Sequence, residues 1–261
     1  MSFAKHYIVT GAAGVLGGAV AEELLQKGIE TTGLGRCSSP ARFSGLWSQC
    51  DLLDADSVLK SLWGADVVIH CASTPLRPEN DRVVLHNLIS AASAHHCHIV
   101  YVGICSMESA AAYNNYYRAK LADETDLEMS GVSYSIVRIS QFHPYVSHLL
   151  SRLVLGPLIL APTLRYQPVD VLFAAQEVCG HAIDQTKGRT PNIHGPEELA
   201  ENELIQTWLR ARNMKKMVMP VPRLGKLKRL GRLLPVSGIS GGRTWTEWLA
   251  AEAESMSPYS W

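Results

Sequence analysis

The most informative segment for the fold is Thr10-Gly11-Ala12-Ala13-Gly14-Val15-Leu16-Gly17. It follows a short apolar run, Lys5–Thr10, and leads directly into Val15–Lys27, where apolar residues recur at helical spacing. A strand, a glycine-rich turn and a helix in this order are typical of a cradle for the phosphates of a dinucleotide. The alternative is a glycine turn that holds no ligand.

The three glycines of this turn have different tasks in such a cradle. Gly11 permits the tight turn at the strand end, Gly14 lets the backbone approach a pyrophosphate, and Gly17 lets the helix pack closely on the strand. The first turn of the helix adds free N–H groups and a partial positive charge, which favour a bound phosphate. The expected phosphate contacts are Gly11, Ala13, Gly14, Val15, Leu16 and Gly17.

Short apolar runs alternate with helical patterns through the first half of the chain. Five further strands are predicted, at Glu30–Gly35, Leu46–Cys50, Asp66–Ala72, His98–Ile104 and Ser133–Ser140. Strict alternation predicts right-handed crossovers and a parallel sheet with helices on both faces, which is a doubly wound α/β fold. Because the rhythm breaks after Gln141, we divide the chain into a nucleotide-binding core, residues 1–143, and a C-terminal region, residues 144–261. We expect the second region to return to the sheet, with one more strand near Asn192–His194, and to cover the substrate cleft.

Composition limits the class of protein. The 261 residues include 24 Lys+Arg and 24 Asp+Glu, which give zero formal net charge, and 47% of them are hydrophobic. Such a chain is neither disordered nor a general nucleic-acid binder. The sequence shows no signal peptide and no window long enough for a membrane span. Six scattered cysteines without a Cys-x-x-Cys pair are expected to be reduced thiols of a cytoplasmic protein.

The end of the second predicted strand bears on the choice of cofactor. Gly35-Arg36-Cys37-Ser38-Ser39 has an arginine and two serines where NAD-preferring proteins place an acid. Arg36, with Ser38 beside it, can pair with a 2′-phosphate, so we expect NADP(H). The alternative is that Arg36 is an ordinary solvated loop residue. Further cofactor contacts are expected at the carboxyl ends of other strands, at Asp51, Leu52, Cys71, Ala72, Ser73 and Gln141.

Tyr116 and Lys120 lie four residues apart at a predicted helix start, so they share one face of the helix. A neighbouring ammonium and an oxidised nicotinamide both favour a phenolate, so Tyr116 could exchange a proton with a substrate oxygen. Lys120 could also hold the nicotinamide ribose. Tyr113 and Tyr117 are competing phenols, and the alternative for Tyr116 is a core or ribose-contact tyrosine.

These motifs together resemble the NmrA-like NAD(P)-binding family of atypical short-chain dehydrogenases/reductases. The resemblance is carried by Thr10–Gly17, Asp51–Asp54, Asp66–His70, Tyr116–Lys120, Ile136–His143, Gln167–Val171 and Gly241–Leu249. It implies an extended Rossmann fold, NADP(H) binding, and a substrate pocket between the core and the C-terminal region. It does not determine the reaction, since relatives include NAD(P)H-dependent reductases and NADP-sensing regulators without turnover.

One position departs from the pattern of short-chain dehydrogenases proper. In those enzymes a serine on or just after the fifth strand helps to polarise the substrate carbonyl. Here Gly103 stands thirteen residues before Tyr116, where that serine is expected, and Ser106 is the nearest substitute. His143, after the sixth strand, is a second candidate for proton transfer. Its alternative is a structural histidine before Pro144.

We predict an NADP(H)-dependent oxidoreductase that reduces a carbonyl, or a conjugated C=C or C=N bond, of a small hydrophobic molecule. Such a reaction fits secondary metabolism. The alternatives are an NADP(H)-sensing regulator without turnover and a non-redox isomerase or cyclase, for which the missing serine is the hint. Val146–Leu164 either lines a lipophilic pocket or belongs to the core. Monomer and homodimer are both open.

Two clusters suggest functions that we do not predict. His95-His96-Cys97-His98 resembles a metal tract, but it spans a helix end and a strand start, so its side chains should diverge and no metal site is expected. Leu204–Thr246 carries Lys and Arg without Asp or Glu, and within it Arg223–Leu234 is amphipathic. That segment could dock on a membrane surface or an acidic partner, but a helix with a solvated basic face is the preferred interpretation.

Overall fold

A computed structural model describes residues 5–37, 40, 43–161, 164–221, 234 and 237–254 of the chain. Two predictions therefore lie outside the described residues. They are the cofactor contact at Ser38 and the basic segment Arg223–Leu234, of which only Leu234 is described.

Helices and strands alternate along the chain, and most of the short strands lie in its second half. The helices are α1 (Val15–Gln26), α2 (Ala55–Ser61), α3 (Pro78–His95), α4 (Glu108–Ala111), α5 (Asn115–Met129), α6 (His143–Arg152), α7 (Val171–Asp184), α8 (Glu201–Ala211) and α9 (Trp245–Glu254). The strands are β1 (Tyr7–Thr10), β2 (Thr31–Gly35), β3 (Leu46–Gln49), β4 (Val67–His70), β5 (His98–Ile104), β6 (Tyr134–Ile139), β7 (Val154–Leu155), β8 (Leu158–Ala161), β9 (Arg165–Tyr166), β10 (Gly188–Arg189), β11 (Asn192–His194), β12 (Leu199–Ala200), β13 (Met217–Pro220) and β14 (Gly238–Ser240). None of the helices in the described part of the chain is both long and apolar enough to cross a membrane.

The chain divides into two compact units, each of which is discontinuous in sequence. Unit 1 comprises the described residues of Met1–Gly103, Asn114–Arg138 and Ala175–Pro191. Unit 2 comprises those of Ile104–Tyr113, Ile139–Ala174 and Asn192–Trp261. The division into a core of residues 1–143 and a C-terminal region of residues 144–261 stays a prediction.

Unit 1 is built on a parallel sheet whose strand order reverses at β1. The order is β3-β2-β1-β4-β5-β6, and β10 pairs with β6. Val9 in β1 pairs with Gly33 in β2 and with Ile69 in β4. Because the chain winds outward from β1 in both directions, a crevice opens at the carboxyl ends of β1 and β4. The predicted doubly wound α/β fold of the Rossmann type is confirmed.

The core of unit 1 lies between this sheet and its helices. Every residue of β1 and β4 is buried, which explains why these strands are apolar up to their last residues, Thr10 and His70, rather than alternating. Helix α3 packs against both α2 and α5. Burial of a large aliphatic side chain contributes about 1.5–3 kcal/mol, so this cluster is the main source of stability. Its buried members include Ile8, Leu34, Val68, Leu85, Leu88 and Ile99.

Two polar side chains determine where helices of unit 1 begin. The Asp54 carboxylate accepts the N–H of Asp56 at 3.0 Å and of Ser57 at 3.4 Å, so Asp54 is the N-cap of α2. Asn114 Oδ1 accepts the N–H of Tyr116 at 2.9 Å, and α5 begins at the next residue. Loss of such a cap typically costs about 0.5–2 kcal/mol. Asn114 thus makes Tyr116 the second residue of α5.

Unit 2 contains several short strands that the sequence does not predict. Strand β8 pairs with β7 in antiparallel and with β13 in parallel orientation, while β9 and β12 form an antiparallel pair. The strand predicted at Asn192–His194 is β11. It pairs in parallel with β14 and, through Ile193, with Ile139 at the end of β6. Strands of two to four residues carry little periodicity, so the other strands of unit 2 have no clear signal in the sequence.

The core of unit 2 is rich in tryptophan. The rings of Trp245 and Trp248 stack with centroids 5.4 Å apart, and Trp208 Nε1 donates to Ser147 Oγ at 3.0 Å. Part of Val146–Leu164 belongs to this cluster, which favours the core interpretation over the pocket for those residues. They are Val146, Leu150, Ile159 and Ala161.

Candidate active site

The carboxyl ends of β1 and β4 are joined by side chains at the crevice of unit 1. Thr10 Oγ1 lies 2.8 Å from His70 Nδ1, and the Ala72 N–H donates to the same hydroxyl at 3.3 Å. Burial lowers the pKa of His70 to about 3, and the charge of Lys120 acts in the same direction. The imidazole is therefore neutral, and the hydrogen bond between its Nδ1 and the Thr10 hydroxyl holds the two strand ends together.

The glycine turn after β1 has the close contacts that a phosphate cradle requires. Gly11 has a φ of +68°, and a Cβ there would lie 2.8 Å from the Ala72 backbone. A Cβ at Gly17 would lie 2.2 Å from the Gly11 carbonyl oxygen. No side chain caps α1 at Gly14, and both Ala13 and Gly14 are exposed. The N-terminus of α1 is thus open to a phosphate group, which its N–H groups would bind.

Arg36 follows β2, while Asp51 and Leu52 follow β3. Arg36 is exposed, and its carbonyl accepts from Gln49 Nε2 at 2.8 Å, which holds the backbone after β2. Asp51 Oδ1 accepts the Leu53 N–H at 3.1 Å, and the Leu52 carbonyl accepts from Asn87 Nδ2 at 2.9 Å. These residues border the turn after β3, and their contacts with a cofactor stay predictions.

Tyr116 makes a hydrogen bond that the sequence does not predict. Its Oη lies 2.8 Å from Ser73 Oγ, and Ser73 in turn donates to Asp81 Oδ2 at 2.7 Å. Ser73 follows β4, whereas Asp81 lies in the first turn of α3. The bond joins residues 43 positions apart, which only the winding of the sheet brings together. The Tyr117 ring lies beside that of Tyr116, with centroids 5.8 Å apart.

Lys120 is buried one helical turn after Tyr116. It is only 4% exposed, and its Nζ donates to the Val102 carbonyl at 3.3 Å and lies 4.5 Å from the centroid of the Tyr101 ring. Burial lowers the pKa of Lys120, and nearby carboxylates, first that of Asp81, oppose the shift. Burial also raises the pKa of the Cys71 thiol to about 12, so Cys71 is not a nucleophile near neutral pH.

A buried ion-pair network explains why glycine stands at Gly103. A Cβ there would lie 2.5 Å from Glu124 Oε1 and 3.1 Å from Arg138 Cγ. Glu124 is fully buried and accepts from Arg138 Nη2 and from Arg189 Nη1, each at 2.6 Å. These bonds hold the carboxylate in place. The position predicted for the serine is therefore filled by the side chain of Glu124.

Replacement of Gly103 by Ser should destabilise the protein rather than restore a missing catalytic group. We expect the free energy of unfolding to fall by about 1–3 kcal/mol, because the new side chain overpacks a fixed ion pair. Denaturant unfolding of the variant measures this change. Gly103→Ala is the control for size alone, and it should destabilise in the same direction. A Gly103→Ser variant as stable as the wild type would contradict this account.

Two predicted site residues, Ser106 and Gln141, lie in unit 2. Ser106 has a φ of +54°, and its hydroxyl donates to the Leu234 carbonyl at 2.5 Å. Gln141 is 9% exposed, and neither atom of its amide group has a hydrogen-bond partner among the described residues. The hydrogen-bonding capacity of this buried amide is therefore not met by the described residues. The cofactor contact of Gln141 and the catalytic role of Ser106 stay predictions.

His143 is fully buried in the tryptophan-rich core of unit 2. Its ring centroid lies 5.7 Å from that of Trp245 and 5.5 Å from that of Trp248. Burial lowers its pKa to about 4, so the imidazole is neutral near neutral pH. The packing favours the structural interpretation of this histidine over proton transfer.

Unit 2 also has an open cavity of about 640 Å³. Apolar lining comes from Ala161, Leu164 and Val218, and polar lining from Asn202 and Gln206. Leu164, the last residue of the apolar segment Val146–Leu164, therefore lines this cavity.

The histidine-rich tract is used for structural contacts. His95 Nε2 lies 2.9 Å from the Leu59 carbonyl oxygen, while His98 bonds through its two ring nitrogens to Ser133 and Ser135, each at 2.8 Å. The side chains point to different partners, and within the described ranges no group of three or more potential ligands could hold a metal ion.

The NAD(P)H-binding family matches residues 11–144, just over half of the chain. The chain belongs to this NAD(P)-binding family. Within the short-chain dehydrogenase/reductase class it is an atypical, NmrA-like member, as the sequence motifs predict. The matched residues include the glycine turn, the end of β4, Tyr116 and Lys120. The fold is that of NAD(P)-binding oxidoreductases and epimerases.

Similarity to individual proteins is local in sequence and extensive in structure. A segment of 71 residues, 26% of this chain, is 37% identical to 2-alkyl-3-oxoalkanoate reductase of Shewanella oneidensis. The match spans only 18% of that relative's length. The enzyme WbmH of Bordetella bronchiseptica, crystallised with NAD+, has a TM-score of 0.74 at 19% identity, covering 95% of this chain and 96% of that one. UDP-glucose 4-epimerase of Thermus thermophilus, in complex with NAD, has a TM-score of 0.71 at 17% identity, covering 95% and 98%.

Four residues that organise the site in unit 1 are not predicted from the sequence. Thr10 and His70 tie the strand ends together, Asn114 positions the start of α5, and Asp81 holds Ser73. Only Asn114 has a signal in the sequence, since Asn is a favoured N-cap before a helix.

Proposed function

We propose that the protein is an NADP(H)-dependent oxidoreductase that acts on a carbonyl, or a conjugated C=C or C=N bond, of a small hydrophobic molecule. The observation that carries the proposal is the hydrogen-bonded phenol of Tyr116, with the buried ammonium of Lys120 one helical turn away. When bound, the nicotinamide supplies or accepts the hydride. Tyr116 supplies or accepts the proton at its Oη, and Lys120 contributes positive charge nearby.

The residues of unit 1 support binding of a dinucleotide. The open N-terminus of α1 and the positive φ of Gly11 suit a pyrophosphate, which the N–H groups of the glycine turn would bind. Arg36 is exposed after β2, where its guanidinium can pair with a 2′-phosphate. The sequence has no Asp or Glu at this strand end, Gly35–Ser39. We therefore propose NADP(H) rather than NAD(H).

One relative supports the proposed substrate class. The Shewanella relative is named a reductase of 2-alkyl-3-oxoalkanoates, which are branched β-keto acids, and this favours carbonyl reduction. A panel of hydrophobic ketones, 2-alkyl-3-oxoalkanoates and enones, monitored by NADPH absorbance, is the appropriate screen. Turnover of at least one member supports the oxidoreductase. Tight NADPH binding without turnover across the panel would instead favour the NADP(H)-sensing regulator.

Cofactor preference should depend on Arg36. In the wild type we expect NADPH and NADP+ to raise the melting temperature more than NADH and NAD+ do. Arg36→Ala should raise the Kd for NADPH about 10- to 100-fold, because one charge-assisted hydrogen bond contributes about 1.5–3 kcal/mol, and leave NADH binding nearly unchanged. Calorimetric titration measures both. The exposed Arg210, on α8, provides the control Arg210→Ala, and equal effects of the two variants would show that Arg36 does not select the cofactor.

A non-redox isomerase or cyclase is a second candidate, favoured by the absence of a serine hydroxyl at Gly103. Ser106, the nearest substitute, already donates to the Leu234 carbonyl. Such an enzyme would convert a substrate without net consumption of NADPH. Product analysis by mass spectrometry, alongside NADPH absorbance, distinguishes the two functions.

A further inference from the structure

Ser73 links Tyr116 to a buried carboxylate in unit 1. The Ser73 Oγ lies 2.8 Å from Tyr116 Oη and donates to Asp81 Oδ2 at 2.7 Å. Asp81 is only 4% exposed, and its Oδ1 accepts the Thr74 N–H at 2.7 Å and also the Thr74 hydroxyl. Three donors thus converge on Asp81, as expected for a carboxylate, which can only accept.

The single proton of Ser73 sets the direction of this chain of hydrogen bonds. Because Ser73 donates that proton to Asp81, its oxygen accepts from Tyr116, and the phenol is the donor. We propose that Tyr116, Ser73 and Asp81 form a proton relay in which Asp81 is the terminal proton acceptor. The inference rests on the proposed function, which makes Tyr116 the proton-transfer residue.

In alcohol oxidation the relay breaks three O–H bonds and forms three. The substrate hydroxyl transfers its proton to Tyr116 Oη, Tyr116 transfers its own to Ser73 Oγ, and Ser73 transfers its own to Asp81 Oδ2. With an oxidised nicotinamide bound to take the hydride from carbon, the electron pair of the substrate O–H bond would become the second C–O bond. Charge and electrons balance, and carbonyl reduction reverses each transfer. Tyr116 is a neutral phenol before and after, so no free phenolate is needed.

The competing interpretation makes Asp81 a purely structural residue that holds the turn before α3. That role accounts for its two bonds to Thr74 but not for the serine hydroxyl placed between Asp81 and the phenol. The relay accounts for the position of this serine hydroxyl. Lys120 interacts electrostatically with Asp81, which reduces the cost of burying this carboxylate.

The relay can be tested without substrate or cofactor, through the ionisation of Tyr116. NMR of protein labelled with [ζ-13C]tyrosine reports this ionisation, and Tyr116→Phe assigns the signal. In Asp81→Asn the Thr74 N–H still needs an oxygen acceptor, so the new NH₂ group faces Ser73 and donates to it. Ser73 then turns its proton to Tyr116 and stabilises the phenolate. We expect the acid dissociation constant of Tyr116 to rise about 50-fold, from this hydrogen bond and the removed charge together.

The Ser73→Ala background separates the relay from simple removal of charge. There Asp81→Asn should raise the same constant only about fivefold, since no hydroxyl can reverse its bond. Equal increases in the two backgrounds would overturn the proposal, because the coupling would not pass through Ser73. Thr74→Val removes a different partner of Asp81 and is the matched control, with an expected change of less than about twofold.

A substrate from the panel allows a second test. Wild-type alcohol oxidation should be nearly independent of pH around neutrality, whereas Ser73→Ala depends on the phenolate and should gain about tenfold in rate per pH unit. Ser73→Thr keeps the hydroxyl and should restore the flat profile. A flat profile in Ser73→Ala rejects the relay but leaves Tyr116 as the proton-transfer residue, a role that Tyr116→Phe tests separately.

Discussion

Replacement of Tyr116 by Phe should lower turnover about 10²- to 10⁴-fold, which is the range expected for loss of a general acid or base. In the proposed mechanism the Tyr116 phenol exchanges a proton with a substrate oxygen, and its Oη lies 2.8 Å from Ser73 Oγ. The measurement is steady-state kinetics on a substrate from the panel, with NADPH binding checked by titration. The fold should be retained, since the hydrogen bond to Ser73 contributes only about 1 kcal/mol.

Tyr117 provides the matched control for this variant. It is the next residue of α5, and its ring lies against that of Tyr116. Tyr117→Phe should keep turnover within about threefold of the wild type, because no proton transfer is assigned to it. Full turnover by Tyr116→Phe would reject the proposed mechanism. A large loss in Tyr117→Phe alone would move the proton-transfer role to that phenol.

Replacement of Gly17 by Ala should damage both stability and nucleotide binding. The new Cβ would lie 2.2 Å from the Gly11 carbonyl oxygen and 2.6 Å from its carbon, and backbone cannot rotate away as a side chain can. We expect a loss of about 3 kcal/mol, the upper end of the usual cost of overpacking. The turn must also shift, so the Kd for NADPH should rise at least about tenfold through weakened charge-assisted hydrogen bonds. Denaturant unfolding and calorimetric titration measure the two effects.

Gly180 is the corresponding control, because it is also a glycine within a helix of unit 1. A Cβ at this position of α7 meets no atom within 4 Å. Gly180→Ala should therefore stabilise the protein by about 0.5–1 kcal/mol, through the lower entropy of the unfolded chain. If Gly17→Ala and Gly180→Ala behaved alike, close packing between Gly17 and Gly11 would not be the cause.

Much of the fold could be predicted because its signals are local. The glycine turn, the apolar strands β1 and β4, the Asp54 cap and strand β11 each depend on residues that are close in sequence. The other short strands of unit 2 could not be predicted, since their pairing depends on partners far along the chain.

The sequence reveals that glycine replaces the expected serine at Gly103, but it does not reveal why. Its spacing from Tyr116 indicates that a serine is missing. The reason for glycine lies in Glu124, Arg138 and Arg189, whose ion pairs form only when β5, β6, β10 and α5 come together. Charged residues scattered through a sequence do not reveal which of them share a buried site.

The α/β alternation follows from the sequence alone, which also predicts the phosphate cradle and roles for Tyr116 and Lys120, because turn chemistry and helical spacing act over a few residues. Which groups bond to the phenol depends on the tertiary structure. Ser73 reaches Tyr116, and Asp81 reaches Ser73, because β4 and β5 are neighbours in the sheet and α3 packs against α5. A hydrogen bond needs its donor and acceptor within about 3 Å, and for residues far apart in the chain only the packed fold creates that proximity.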